Sequence, residues 1–285
     1  MKKFFQRLYF SANHNRNYYP QTERERFIMV LASNIFPVDF LKKHNLGVEL
    51  YITTETDLNA LEVVRDYART VHLQYSGINL AANDEAVRRK SINDIKYGIE
   101  AGAGFDVKTM VLHPCGVFSS KGEDVGSYAP MIDSLREIAD FMAGKGLILS
   151  LENQVLRHPD LRIIAGCSSD EWFQLYKDVD RKNVTLTLDT SHAASASAHE
   201  DTLEKRHAKL WKFLDHPELI SHFHWSDARL VTDDCQYADI HLVPGQGDLP
   251  RDFHKAIWEH SGSKLFEQKC TEEELEAGLK FAYSL

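Results

Sequence analysis

Short apolar runs that alternate with longer helical patterns along the whole 285-residue chain constrain its fold more than any other feature. The runs have the length of buried strands, whereas the patterns between them repeat with the period of a helix. This alternation predicts a parallel sheet covered by helices, and eight such repeats are the count of a (β/α)8 barrel. We therefore predict an α/β fold, a single TIM-barrel domain over residues 1–285. The predicted strands are 7–11, 47–52, 70–74, 109–113, 147–152, 184–189, 219–224 and 264–267.

Helical patterns fill the segments between these strands, and the last of them closes the chain. That last pattern opens on the letters TEEE (271–274), which predict a capping box. A doubly wound open sheet is the alternative fold. It normally has a glycine-rich phosphate loop after its first strand, and SANHN (11–15) is not one. The predicted helices include 86–101, 131–144, 170–177, 203–214, 252–260 and 271–281.

Composition places the chain among soluble globular proteins, with 43% hydrophobic and 26% charged residues. Its formal net charge of −9 weakens the case for a nucleic-acid-binding protein without excluding one. The four cysteines lie far apart with no C-x-x-C pair, which favours a reduced, cytoplasmic protein. The basic start lacks the apolar core of a signal peptide, and the most apolar stretch, 27–40, is too short to span a bilayer. No membrane role is expected.

Six side chains that can bind metals fall at the ends of six successive predicted strands. Barrel enzymes place their chemistry at the carboxyl ends of the strands, so we expect these side chains to converge on one mouth. A single histidine or glutamate in such a position is more often a satisfied buried polar group than a ligand. Six in succession are improbable by chance, and burying so many ionisable groups without a metal would be costly. The six are His72, His113, Glu152, Asp189, His224 and Glu267.

Two further spacings add three candidate ligands. His192 follows Asp189 by one helical turn, and the long segment 225–249 contains Asp239 and His241. A loop of that length in a compact domain is usually functional. A mixture of imidazole and carboxylate suits Zn²⁺, Mn²⁺ or Co²⁺, whereas all-oxygen sets suit Mg²⁺ or Ca²⁺. The nine candidates exceed the needs of one ion and would suffice for two or three.

Two other polar residues in the strands have open interpretations. Glu49 on the second strand could reach the mouth or simply cap the strand. His222 shares the inward face of His224, and a place in the interior layers of the barrel is as much expected as a role in the site.

Five motifs follow one another in a fixed order along the chain. They are VLHP (111–114), LEN (151–153), LDTSH (188–192), HWSD (224–227) and PGQG (244–247). Together they resemble the xylose isomerase-like TIM-barrel superfamily. That group contains sugar and sugar-phosphate isomerases and epimerases and also endonuclease IV, or AP endonuclease family 2. The resemblance runs from about His72 to Glu267, and the order and spacing of the motifs are specific to the superfamily.

The isomerase and epimerase branch typically holds one Mn²⁺ or similar ion with a Glu, Asp, His, Glu quartet. By resemblance that quartet is Glu152, Asp189, His224 and Glu267. In that chemistry the metal polarises the sugar carbonyl and hydroxyl, and two carboxylates move a proton at the neighbouring carbon. The resemblance therefore implies that Glu152 and Glu267 are the catalytic acid/base pair.

The same resemblance implies the substrate contacts and the cofactor. His192 and His113 would contact the substrate, and Arg229 would bind a further hydroxyl or a phosphate. Zn²⁺ or Mn²⁺ is the favoured cofactor, with Co²⁺ or Mg²⁺ as alternatives, and no organic cofactor is expected. Isomerases of this group are often dimers or tetramers, so a homo-oligomer is compatible with the resemblance.

The endonuclease IV branch uses three zinc ions held by all nine positions, and the ligand set fits it well. The letters HLQY (72–75) and INL (78–80) resemble its third-strand motif, and SDAR (226–229) with DIH (239–241) resembles its seventh-strand motif. There the metals generate hydroxide and clamp the scissile phosphate. The five residues beyond the quartet, which could hold these extra ions, are His72, His113, His192, Asp239 and His241.

The departures from the endonuclease pattern lie in the parts that read DNA. About 20 residues separate the second strand from His72, which leaves little room for a DNA-penetrating loop, and the loop after the first strand is not basic. The letters GVEL (47–50) look more like the second strand of a sugar isomerase. We therefore favour a small sugar or sugar phosphate as the partner, with nucleic acid only under the alternative. A non-catalytic sugar-binding protein is a minor third class, since fold does not settle function.

Overall fold

Eight parallel strands form a closed barrel in the computed structural model, which describes residues 28–32, 37–115, 125–156, 164–232 and 238–285. Each strand pairs with the next in chain order, and the eighth pairs back onto the first. This topology confirms the predicted (β/α)8 TIM barrel. The strands are β1 Ile28–Leu31, β2 Gly47–Ile52, β3 Ala68–Leu73, β4 Thr109–Leu112, β5 Ile148–Glu152, β6 Val184–Asp189, β7 Ile220–His224 and β8 Ser263–Phe266.

Helices lie between successive strands, and capping side chains fix where several of them begin. Asp84 accepts hydrogen bonds from two backbone N–H groups in the first turn of α3. Capping boxes open α5 at Ser168 and α9 at Thr271, the second as predicted. Of the helices in the described ranges, none is long and apolar enough to cross a membrane. The helices are α1 Val38–Lys43, α2 Leu58–Leu61, α3 Glu85–Ala103, α4 Tyr128–Ala143, α5 Ser169–Val179, α6 Thr190–Ser197, α7 Leu203–Lys212, α8 Arg251–Glu259 and α9 Glu272–Tyr283, with 3₁₀ turns at Glu62–Tyr67 and Pro217–Leu219.

The first strand of the barrel differs from the prediction. β1 lies inside the apolar stretch 27–40, whereas the predicted strand 7–11 lies outside the described residues. Met29 pairs with Gly47 of β2 on one side and with Leu265 of β8 on the other, so β1 closes the barrel. A strand buried on both faces is a continuous apolar run. The letters IMVL meet that requirement, whereas RLYFS begins and ends on polar residues.

Apolar side chains fill the space between the barrel wall and the helices. Ile92, Ile95 and Ile99 form the buried stripe of α3. Trp172 on α5 is fully buried and donates its indole N–H to the carbonyl oxygen of Leu151 on β5, at 3.0 Å. This packing fixes the strands, and with them the positions of the side chains at the strand ends.

The carboxyl ends of the strands face one mouth of the barrel, where the strand register sets the candidate residues side by side. Glu152, Asp189 and His224 are the last residues of β5, β6 and β7, and Asp189 pairs directly with His224. His113 and Glu267 come immediately after β4 and β8. Neighbouring strands therefore bring chemically reactive side chains to the same level.

Candidate metal centre

Glu152 lies at the middle of a ring of four imidazoles. Its Oε2 lies 3.2 Å from Nε2 of His72 and 3.2 Å from Nε2 of His113. Its Oε1 lies 3.3 Å from Nδ1 of His192 and 3.4 Å from Nδ1 of His224. The carboxylate is only 1% exposed, so these four rings form its immediate surroundings. Each oxygen therefore has its own pair of histidines.

A second group adjoins the first through His224. Its Nδ1 lies 3.1 Å from Oε2 of Glu267 and 3.8 Å from Oδ2 of Asp189. Nδ1 of His241 lies 3.4 Å from the same Glu267 oxygen and 3.9 Å from the same Asp189 oxygen. Two imidazoles thus face two carboxylates across one small space.

Asp239 completes the cluster between two histidines. Its Oδ1 lies 3.0 Å from Nε2 of His241 and 3.9 Å from Nε2 of His192. His241 itself has a φ of 45°, in the left-handed region that residues other than glycine rarely adopt. Its backbone N–H donates to Oγ of Ser191, at 3.1 Å, which helps to hold this conformation. All nine side chains singled out in the sequence therefore lie in one continuous cluster, and their roles as ligands stay a prediction.

Backbone carbonyl groups orient two of the rings. Nδ1 of His72 lies 2.7 Å from the carbonyl oxygen of Leu73, and Nδ1 of His192 lies 2.9 Å from that of Asn153. A carbonyl oxygen can only accept, so both Nδ1 atoms carry the proton. In the neutral ring, Nε2 then has the lone pair, which is the form in which imidazole binds a metal.

Burial and the neighbouring histidines set the ionisation of the buried carboxylates. Burial, which disfavours the charged form, raises the pKa of Asp189 to about 7, and the Glu267 and Glu152 charges add to this against His192 and His241. Burial also acts to raise the pKa of Glu152, but His224 and His113 outweigh it and hold that pKa well below its usual range. The site therefore needs positive charge in order to ionise all three carboxylates.

Three histidines of the cluster show the complementary behaviour, with raised pKa values. Burial acts to lower the pKa of His241, but Asp189 and Glu267 outweigh it and raise that pKa to about 9. Burial is likewise outweighed in His192, by Asp189 and Glu152, and in His224, by Glu267 and Glu152, so both pKa values lie well above normal. These protons supply the positive charge that a divalent cation would otherwise supply.

The donor set fits a divalent transition metal. The buried atoms of the described residues that have no hydrogen-bond partner include Nδ1 of His224, Oδ2 of Asp189 and Oε2 of Glu267. These residues offer ligand atoms within 4.8 Å of one another, as do Asp189, His192 and His241. Leaving such polar atoms without a hydrogen bond costs about 1–3 kcal/mol each, which a bound ion would recover. Nitrogen and oxygen donors together suit Zn²⁺, Mn²⁺ or Co²⁺.

Tyr51 and Tyr75, which were not predicted as site residues, lie along the edge of the cluster. The ring of Tyr75 stacks on His113 with centroids 5.1 Å apart, and the ring of Tyr51 lies 5.2 Å from that of Tyr75. Tyr75 is 44% exposed and so forms part of the mouth surface. The signal was present in the sequence, because Tyr51 is the penultimate residue of β2 and Tyr75 belongs to the HLQY motif.

Arg229, Glu49 and His222 are the remaining residues considered in the sequence, and they lie in two different parts of the barrel. Arg229 is exposed in the segment after β7, and its contact with a substrate stays a prediction. Glu49 and His222 lie inside the barrel, fully buried, with Nε2 of His222 3.2 Å from Oε2 of Glu49. Burial acts to raise the pKa of Glu49, but His224 and His222 hold it well below its usual range. Glu49 therefore neither reaches the mouth surface nor caps β2.

Asp227 fixes the segment that carries Asp239 and His241. Its Oδ1 accepts from the backbone N–H groups of Ala228 and Leu249, at 2.9 and 3.1 Å, and its Oδ2 accepts from that of Gly245, at 3.0 Å. A Cβ at Gly247 would lie 2.3 Å from Oδ1 of Asp227, so only glycine fits there. Packing against Asp227 therefore explains the last glycine of the PGQG motif.

Comparison with known proteins identifies the family. The xylose isomerase-like TIM barrel family matches residues 45–284, and the chain belongs to this family. Among curated relatives, the uncharacterized protein MJ1311 of Methanocaldococcus jannaschii is 27% identical over 181 residues, which cover 63% of this chain. That match spans 56% of the relative's own length.

Solved structures show the same fold with different named activities. A D-tagatose 3-epimerase-like protein has a TM-score of 0.65 at 22% identity, covering 91% of this chain and 99% of its own. An AP endonuclease of family 2 from Brucella melitensis has a TM-score of 0.64 at 18% identity, covering 91% of this chain and 98% of its own. Likenesses at these identities establish the fold, and the reaction has to be argued from the site.

Proposed function

We propose that this chain is a metal-dependent phosphodiester hydrolase whose nine-residue cluster binds more than one divalent ion. The observation that carries the proposal is the division of the rings around Glu152, with His72 and His113 at one oxygen and His192 and His224 at the other. A buried carboxylate with imidazoles near both of its oxygens would let the cluster hold more than one divalent ion. Such sites are typical of phosphatases and nucleases, where they stabilise the attacking and leaving oxygens.

Position within the cluster separates the residues by role. Divalent ions bound here would act as Lewis acids and lower the pKa of a water molecule. Glu152 and Asp189 are deeply buried and would serve as ligands. The side chain of Glu267 is 22% exposed, and its Oε2 lies between Nδ1 of His224 and Nδ1 of His241. Of these three carboxylates Glu267 best reaches an incoming substrate, so we propose that its Oε2 accepts the proton that the attacking water loses.

Metal content and hydrolysis test the proposal together. We expect protein supplemented with Zn²⁺ or Mn²⁺ to hold two or three ions per chain and to incise a duplex that carries an abasic site. Glu267→Gln should lower the rate at least about 100-fold. Glu273→Gln, on an exposed position of α9, is the matched control and should leave the rate unchanged. Less than one tightly bound ion per chain would end the proposal, and full activity of Glu267→Gln would remove the assigned role.

Sugar isomerisation or epimerisation, which the sequence favoured, is the second candidate. Two observations support it. The segment between β2 and β3 folds into α2 and the 3₁₀ turn Glu62–Tyr67, which leaves little room for a DNA-penetrating loop. In addition, Glu152 and Glu267 lie 3.4 and 3.1 Å from the same atom, Nδ1 of His224, so they could flank one ion as an acid/base pair.

The two candidates predict different results in the same preparation. A single ion per chain, with solvent deuterium entering a ketose or ketose phosphate, would favour the second candidate. That exchange should be lost in Glu152→Gln and kept in Glu273→Gln. Exchange that is absent from a broad ketose panel, together with incision of the abasic duplex, would remove it.

A further inference from the structure

His224 uses its two ring nitrogens in opposite directions. Nδ1 faces the metal cluster, whereas Nε2 lies 3.2 Å from Oε1 of Glu49, a fully buried residue of β2. An imidazole binds a metal through the nitrogen that has no proton, so in the metal-bound protein the proton must stay on Nε2. A carboxylate oxygen can only accept that proton's hydrogen bond. Glu49 is therefore placed to select the ring form in which Nδ1 faces the cluster with its lone pair.

The other anchored histidines do not need such a carboxylate. His72 and His192 donate to the carbonyl oxygens of Leu73 and Asn153. His224 also lies in the barrel wall, paired with Asp189 of β6 and with Leu265 of β8, but its Nε2 faces across the barrel toward Glu49. The neighbour of that nitrogen is a side chain, not the carbonyl group of an adjacent residue. Glu49 on β2 supplies that side chain.

Glu49 is itself held from two sides. Oγ1 of Thr70 donates to its Oε2 at 2.7 Å, and Nε2 of His222 lies 3.2 Å from the same oxygen. Nδ1 of His222 lies 2.8 Å from Oγ of Ser263, which fixes that ring in turn. A register shift between Val48 and Glu49 sets Glu49 opposite Thr70 in the pairing of β2 with β3. Oε2 is thus held by neighbours, while Oε1 faces His224.

We propose that Glu49 is a positioning residue for the metal centre, which acts by fixing the tautomer and ring orientation of His224. The inference rests on the proposed metal-dependent function, because its role is to prepare His224 as a ligand. A fully buried carboxylate in a barrel interior is costly, and an apolar side chain would pack there more readily. The carboxylate therefore requires a role that an apolar residue could not fill. Outer partners of this kind strengthen metal binding by holding the ligand in its productive form.

Zn²⁺ affinity of the full chain tests the proposal, measured by competition with a chromophoric chelator. We expect Glu49→Gln to weaken binding about 10- to 100-fold, the usual effect of losing such a partner. The absorption spectrum of Co²⁺ bound at the same site should change as well, since the ring would no longer be held in one orientation. Thr70→Val, which removes only the hydroxyl that steadies Glu49, should weaken Zn²⁺ binding in the same direction by a smaller factor.

The control is Glu137→Gln, which removes a carboxylate that Lys96 and Arg89 contact on the helical surface. It should leave Zn²⁺ affinity and the Co²⁺ spectrum unchanged. If Glu49→Gln folds and binds Zn²⁺ as tightly as wild type, with the same Co²⁺ spectrum, the inference is overturned while the proposed function stands. If Glu49→Gln does not fold, unchanged affinity of Thr70→Val overturns it instead. Failure of the wild type to bind Zn²⁺ or Co²⁺ would overturn both.

Discussion

His241 carries an extra proton at a position where a metal ion would bind. Asp189 and Glu267 raise the pKa of His241 to about 9 against the opposing effect of burial, so this ring is protonated at neutral pH in the metal-free protein. A ligand must lose its proton before it coordinates. A metal ion that binds through His241 would therefore have to displace this proton.

The expected consequence at this scale is a pH-dependent affinity for Zn²⁺. The pKa of His241 is raised, so its proton is retained until the pH approaches about 9. Affinity should rise between roughly pH 6 and 9, about tenfold per pH unit for each proton released, and then level off. Competition titrations across that range measure the slope. In His241→Gln, one proton fewer should be released per ion bound, so the slope of log affinity against pH should fall by about one. An affinity that does not change with pH in the wild type would contradict the assignment of His241 as a ligand.

Among the elements, α5 begins at a capping box that can be tested without touching the cluster. Oγ of Ser168 accepts from the backbone N–H of Glu171 at 3.3 Å, and the Glu171 carboxylate accepts from Ser168 N–H in return. Ser168→Ala should cost about 1 kcal/mol in the free energy of unfolding. Thr271→Ala, in the equivalent box of α9, should cost a similar amount. Denaturant unfolding measures both, and a change in metal content of either variant would show that the caps also serve the site.

The elements also show what could be predicted from the sequence. The bounds of β2 and β6 are those predicted, because in each strand apolar residues recur at every second position and so share one buried face. The strand-end positions of Glu152 and Asp189 followed from the same kind of pattern. The strand β1 was not predicted, because a four-residue strand carries too little pattern to stand out within the stretch 27–40. The division of imidazoles between the two oxygens of Glu152 could not be predicted, since it depends on how the strands are arranged around the barrel.

The interior position of Glu49 could not be predicted for a related reason. A period-two pattern says which face of a strand a side chain shares, but it does not say how deep in the barrel that side chain lies. The register shift beside Glu49 and its distance to His224 both depend on the pairing of β2 with β3 and on closure of the barrel. Such long-range geometry appears only once the fold is assembled.

At the scale of the whole molecule, two kinds of interaction hold the barrel together. An apolar core lies between the strands and the helices, and it includes fully buried residues such as Trp172, Phe213 and Phe253. The polar cluster lies at one mouth and joins side chains from the β3 end of the barrel round to β8. Since the apolar core is separate from the cluster, we expect the fold to form without a metal and a bound metal to stabilise that mouth of the barrel.

Removal of the metal should therefore lower the stability of the protein without unfolding it. We expect protein stripped with a chelator to keep the far-ultraviolet circular dichroism of the loaded form and to melt at a lower temperature. Adding back Zn²⁺ at a free concentration of about 100 times Kd should restore about 2.7 kcal/mol, since ions bind the folded state in preference to the unfolded chain. Stripped His224→Gln protein should gain much less from the same addition. An unchanged melting temperature on stripping and reloading would show that protonated histidines stabilise the cluster as well as a metal does. Loss of all secondary structure on stripping would show that the apolar core alone cannot maintain the barrel.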